Sequence, residues 1–182
     1  MLATYARTAG ICAQILLEGR PGSGKTTVAR RLTSLLRAAG IPVGGFLTEE
    51  IREGGARVGF RIETAGGDRG MLAHVDFPGP PRVGKYGVDL DAFERLALPA
   101  ISSPPATGVT VIDELGKMEL ASAPFQAGVE DLFDAGRAVV ATVHAYRHPL
   151  TDALKGRADV ELLKVTSRTR SGLPGELVER FS

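Results

Sequence analysis

The stretch Gly19-Arg20-Pro21-Gly22-Ser23-Gly24-Lys25-Thr26 fits the spacing G-x-x-x-x-G-K-[ST]. Glycines in such a run permit backbone angles that turn consecutive N–H groups inward, and the positive end of a following helix adds to their pull on phosphate oxygens. Lys25 is then expected to reach the β- and γ-phosphates and Thr26 to offer its hydroxyl to Mg2+. The nucleotide-binding set is read as Gly19, Arg20, Pro21, Gly22, Ser23, Gly24, Lys25, Thr26 and Thr27. A second cluster, Val109-Thr110-Val111-Ile112-Asp113-Glu114, ends an apolar run in two acids. Acids at the carboxyl end of a parallel strand lie where open α/β sheets bind ligands, so Asp113 is assigned to the metal beside Thr26. Side chains alternate along extended chain, which turns Glu114 elsewhere and frees it to orient or deprotonate an attacking water.

Basic groups near a phosphoryl transfer matter because negative charge spreads over the transition state; Arg52, Arg57, Arg82 and Lys117 are the candidates. His74, His144 and His148 are scattered without metal-ligand spacing and are expected on the surface or in packing roles. Cys12 is expected to be a small hydrophobe on a buried strand.

These groups must be held by surrounding elements. An apolar run predicts a buried strand over 12–18, and Val28, Leu32, Leu35, Leu36 and Ala39 mark one face of a helix over 26–39. Residues 43–64 read as two β-prone runs around Glu53-Gly54-Gly55-Ala56, a hairpin. The Gly- and Pro-crowded segment 65–85 reads as a surface loop. A helix over 89–100 closed by Pro99, a strand over 109–112, a helix over 125–133 and a strand over 138–143 follow. A short helix over 150–155, a strand over 160–165 and a helix after Pro174 complete the chain. Alternating strands and helices give an α/β fold, a mainly parallel sheet covered on both faces with the antiparallel hairpin as an insertion.

The 182 residues, 43% of them hydrophobic, fit a single domain over 11–182, with 1–10 read as a flexible tail. One cysteine makes neither an internal disulfide nor a zinc site, which points to a reducing cytoplasm. A net charge of +1 without any run of five like charges argues against nucleic acid and membrane partners, and a monomer is expected.

With the phosphate loop, three further blocks carry a resemblance. They are Gly45-Phe46-Leu47-Thr48-Glu49-Glu50-Ile51-Arg52 with Arg57-Val58-Gly59-Phe60, then Gly84-Lys85-Tyr86-Gly87-Val88-Asp89, then Asp113-Glu114-Leu115-Gly116-Lys117-Met118-Glu119-Leu120. In them the sequence resembles the cancer-related or THEP-type nucleoside-triphosphatases over nearly everything after the first dozen residues. The resemblance implies a RecA-like P-loop NTPase fold, Mg2+-dependent hydrolysis of ATP, GTP and other nucleoside triphosphates, broad base tolerance and slow turnover. Lys117, inside the most specific block, joins Glu114 and Lys25 as a catalytic candidate. The family usually carries Val-Thr-x-x-Asn-Arg near the C-terminus, where this chain has Thr169 in place of Asn, followed by Arg170, whose guanidinium plane is expected to stack on the base.

Two other readings remain open on the residues alone. A P-loop kinase would use the Pro/Gly-rich segment as a lid, although the tandem acids suit recruitment of water better than its exclusion. A nucleotide-dependent regulator of a protein or RNA partner is the other; the absence of asparagine denies it the guanine-reading Asn-Lys-x-Asp element.

Overall fold

A computed structural model of the chain describes residues 13–182; the expected tail over 1–10 and Cys12 lie outside them. Strand β1 (Gln14–Gly19) leads through the glycine-rich turn into helix α1 (Lys25–Ala38). Strands β2 (Val43–Glu53) and β3 (Ala56–Thr64) form the expected antiparallel hairpin, with Glu53 paired to Ala56 across the turn. Next come β4 (Arg69–His74), β5 (Arg82–Val83), β6 (Tyr86–Val88), α2 (Leu90–Ser102) and β7 (Val109–Leu115). A 3-10 turn (Glu119–Ala121) precedes α3 (Ala123–Asp134), β8 (Val139–His144), α4 (Pro149–Lys155), β9 (Val160–Lys164) and α5 (Leu173–Phe181).

Among the described residues all strands join one sheet in the order β5-β6-β4-β3-β2-β7-β8-β1-β9. Its central part, from β2 to β9, is parallel, while β3, β4, β6 and β5 extend it as an antiparallel arm. Strand alternation assigns the two cores. Ile15, Leu17, Val109, Val111 and Val140 face α1 and α5, whereas Leu16, Ile112, Ala141 and Val143 face α2, α3 and α4. A strand buried on both faces needs apolar residues at every position, which is why the parallel strands read as continuous runs in the sequence. The second core is anchored by Phe46, Phe93 and Phe125, whose ring centroids lie 5.0 to 5.8 Å apart.

Two expectations fail here. The segment 65–85 is not a surface loop throughout: β4 pairs with β3 and buries Leu72 and Ala73, and β5 pairs with β6. Short strands interrupted by glycine lack a readable period, and pairing with the hairpin supplies the backbone partners that local residues do not advertise. Gly59 opposite them admits the close approach, since a Cβ there would lie 2.5 Å from the carbonyl oxygen of Ala73. Pro99 does not close α2, which runs on to Ser102. Proline removes one hydrogen bond, but it sits in the last turn, and Ile101, 1% exposed, anchors that turn in the core.

Candidate active site

β1 stops at Gly19 and α1 begins after Gly24, which occupies the cap position at φ 101° with no side chain capping the helix. The first-turn N–H groups of α1 are therefore unmatched by any cap and are available to an anion. Arg170 lies across the loop so closely that a Cβ on Gly24 would stand 3.1 Å from its Cδ. Lys25 is buried, and its Nζ donates to the carbonyls of Gly19 at 3.0 Å and Arg20 at 3.4 Å. Ser23 Oγ is buried with no hydrogen-bond partner among the described residues. An unpaired buried hydroxyl, a lysine and free helix N–H groups converging on one turn suit a polyphosphate.

Asp113, at the end of β7, is fully buried. Three hydroxyls meet it: Thr26 Oγ1 donates to Oδ1 at 3.2 Å, Thr142 Oγ1 to Oδ1 at 2.7 Å and Thr48 Oγ1 to Oδ2 at 3.3 Å. Burial raises its pKa above the ordinary value; the Thr142 hydrogen bond opposes this most, and the neighbouring Glu114 charge adds to the rise. Sequence reasoning missed Thr48 and Thr142. The available signal was a lone hydroxyl, Thr142, inside the otherwise apolar run of β8.

Glu114 diverges from Asp113 as expected and enters the cleft, where its Oε2 lies 3.8 Å from Lys25 Nζ. Its Oε1 stands in close contact with His144 Nε2, which corrects the expectation for that histidine. His148 and His74 behave as expected: each Nδ1 accepts a nearby backbone N–H, from Leu150 at 3.2 Å and Asp76 at 3.2 Å. His144 differs because it ends β8, at the carboxyl end of the parallel strands where ligands collect, a position the strand pattern could have exposed. Its ring stacks on Tyr146 at 4.5 Å, and Lys117 Nζ sits 4.9 Å from the Tyr146 ring centroid. Burial first, and then the Glu114 charge, push the Tyr146 phenol up to about 12. Glu119, buried in the cleft wall, is held well above the usual carboxylate range by burial and by the Glu114 charge.

Lys25, Thr26, Thr48, Glu114, His144 and Tyr146 line a cleft of about 640 Å3, together with Lys117 and Glu119. Pro21, Gly22, Thr27 and Arg170 lie along it on the phosphate-loop side, and Arg57, Phe60 and Val83 come from the arm. Of the four basic candidates, Arg57 and Lys117 reach the cleft. Arg57 is engaged there, donating to Tyr86 Oη at 3.0 Å and Glu50 Oε1 at 2.8 Å. Arg52 pairs with Glu50 at the exposed hairpin end, and Arg82 ties the carbonyls of Phe77, Pro78 and Lys85, so neither lines the cleft. Thr169 spends its hydroxyl inside its own loop, accepting from the N–H of Thr166 at 3.0 Å and donating to the carbonyl of Lys164 at 2.9 Å.

A parallel sheet with a glycine-rich phosphate loop after β1 and an acid at the end of β7 defines a nucleotide-binding α/β domain of the P-loop class. The comparisons narrow it. The family model described as NTPase matches residues 14–178. The nucleoside-triphosphatase THEP1 of Thermotoga sp. (strain RQ2) is 42% identical over 166 residues, 91% of this chain and 93% of that protein. The cancer-related nucleoside-triphosphatase of Homo sapiens is 41% identical over 178 residues, 90% of this chain and 94% of that protein. The crystal structure of THEP1 from Aquifex aeolicus superposes with a TM-score of 0.82 at 32% identity, covering 93% of this chain and 99% of that one. The chain belongs to the THEP1 family of nucleoside-triphosphatases.

Proposed function

We propose that the chain is a Mg2+-dependent nucleoside-triphosphate phosphohydrolase that converts NTP and water to NDP and phosphate. The observation that carries this reading is the separation of two adjacent carboxylates. Asp113 is buried against Thr26, while Glu114 faces the cleft beside Lys25. Environments that differ this much give chemically alike groups different tasks.

The donor set fits Mg2+, which takes hard oxygens from one or two protein groups and the rest from phosphate and water. Thr26 Oγ1 and Asp113 Oδ1 are 3.2 Å apart and would hold it. Once bound, the ion supplies charge neutralisation across the β- and γ-phosphates. The protein does the remainder. Lys25 and the first N–H groups of α1 bind the phosphate oxygens, and Glu114 orients a water toward the γ-phosphorus and accepts its proton at a carboxylate oxygen. Arg57, one of two arginines on the cleft, is already paired with Glu50 and Tyr86, which favours slow turnover because that guanidinium is not free to meet the transition state. Broad base tolerance fits the Arg170 plane, which stacks without reading base edges, and the Thr169 hydroxyl that is turned into its own loop.

The same reading takes ATP, GTP and their relatives as substrates of a cytoplasmic monomer without a nucleic-acid partner, in keeping with the net charge of +1. Among the described residues no helix is long and apolar enough to cross a membrane. Phosphate release measured across ATP, GTP, CTP, UTP and their deoxy forms, with and without Mg2+, tests the proposal; a flat, metal-requiring profile is expected. Glu114→Gln should keep nucleotide affinity and lower kcat about 10²- to 10⁴-fold, whereas Lys25→Ala should weaken both. A Glu114→Gln enzyme with the wild-type rate would refute the role given to that carboxylate.

A further inference from the structure

Glu114 shares its corner of the cleft with two other carboxyl groups: Asp113 precedes it in the chain, and a Cβ on Gly116 would stand 2.9 Å from both Glu114 Oε1 and Glu119 Oε2. Two side chains among the described residues hold it. Lys25 Nζ stands 3.8 Å from Oε2, beyond hydrogen-bond length, and His144 Nε2 is in close contact with Oε1. A triphosphate in the glycine-rich turn draws Lys25 to its own oxygens, leaving the histidine as the remaining anchor.

His144 is built for such a task. In the ladder it pairs with Gly19, the first residue of the phosphate loop, and its carbonyl accepts from Lys155 Nζ at 2.9 Å. Lys155 in turn donates to Glu18 Oε1 at 2.7 Å, so the strand end carrying His144 is bound to the strand end carrying the loop. The Tyr146 ring lies nearly parallel to the imidazole, at 23°, and fixes its plane. Nδ1 is buried with no partner among the described residues, so Nε2 is the ring nitrogen that meets a polar side chain, the carboxylate of Glu114.

We propose that His144 is a positioning residue for hydrolysis: through Nε2 it holds Glu114 in the orientation that receives the attacking water. The inference rests on the water-orienting role given to Glu114 and extends it to a histidine outside the phosphate-binding motifs.

The test exploits reach. Glutamine sets its amide nitrogen near the place of Nε2 and asparagine sets its own near Nδ1, so only glutamine can renew the contact with Glu114. With Mg2+ and ATP, His144→Asn should lower kcat about 10- to 100-fold while KM stays within about twofold. His144→Gln should recover most of the loss. His144→Leu, similar in bulk to Gln without a donor, should be as slow as His144→Asn and serves if the asparagine variant does not fold. Combined with Glu114→Gln, His144→Asn should slow the enzyme by no more than about threefold further, because both changes remove one unit. Equal rates for the glutamine and leucine variants, or losses that multiply in the double variant, would overturn the role. Wild-type kcat in His144→Asn beside a slow Glu114→Gln would overturn it while sparing the water-orienting carboxylate; a fast Glu114→Gln removes both.

Discussion

At the scale of single residues, Glu119 shows how the cleft taxes the fold that makes it. Burial holds its carboxyl well above the usual range, and Glu114 and Asp113 push it the same way. A carboxyl that binds protons more tightly folded than unfolded adds stability as pH falls through its folded value, and the gain levels off below the unfolded value. The ligand-free protein should therefore melt higher as pH drops from neutrality toward the ordinary Glu value of 4.5. Glu50, Asp152 and Asp159 are lowered by hydrogen bonds to Arg57, Arg147 and Arg157, so their contribution is lost only below the ordinary carboxylate range, outside that window. Glu119→Gln should raise Tm at neutral pH and flatten the slope. Thermal melts of both proteins from about pH 8 to about pH 5 check this, and an unchanged slope would assign the effect elsewhere.

At the scale of elements, the parallel strands and the arm obey different signals. The strands β1, β7 and β8 are buried on both faces, so their apolar runs, together with the G-x-x-x-x-G-K-[ST] spacing, made the core and the phosphate loop legible from residues alone. The arm was half legible: Gly54-Gly55 announced the hairpin, but β4 depends on β3 for its backbone partners and on Leu72 for its burial. Thr48, Thr142 and His144 were hidden for a related reason. Each acts through a partner far away in the chain, on Asp113 or Glu114, and no local spacing records such a meeting. Gly59→Ala tests the arm, because the new methyl would press on the Ala73 carbonyl. A loss of about 1–3 kcal/mol in urea unfolding is expected. Phe60 is the next residue and lines the cleft, so kcat should fall as well.

At the scale of the molecule, the cleft joins residues from the phosphate loop, from β7 and β8, and from the arm. A ligand that touches all of them stabilises the whole sheet by mass action. A non-hydrolysable triphosphate with Mg2+ at about 100 times its Kd should add about 2.7 kcal/mol, or about 5–10 °C in Tm for a chain of this size. Asp113→Asn should lose the part of that shift that depends on the metal, which scanning calorimetry with and without Mg2+ separates.

The outer strands of the sheet bear on how copies of the protein behave in a crowd. On one margin β5 is a two-residue stub; on the other, β9 places the exposed Leu162 near Glu161 and Lys164, with Arg180 of α5 paired to Glu161. A long, flat, greasy rim would invite a neighbour to add its own strand and seed fibrils. Among the described residues, this sheet meets such a neighbour with charge at one margin and almost no rim at the other.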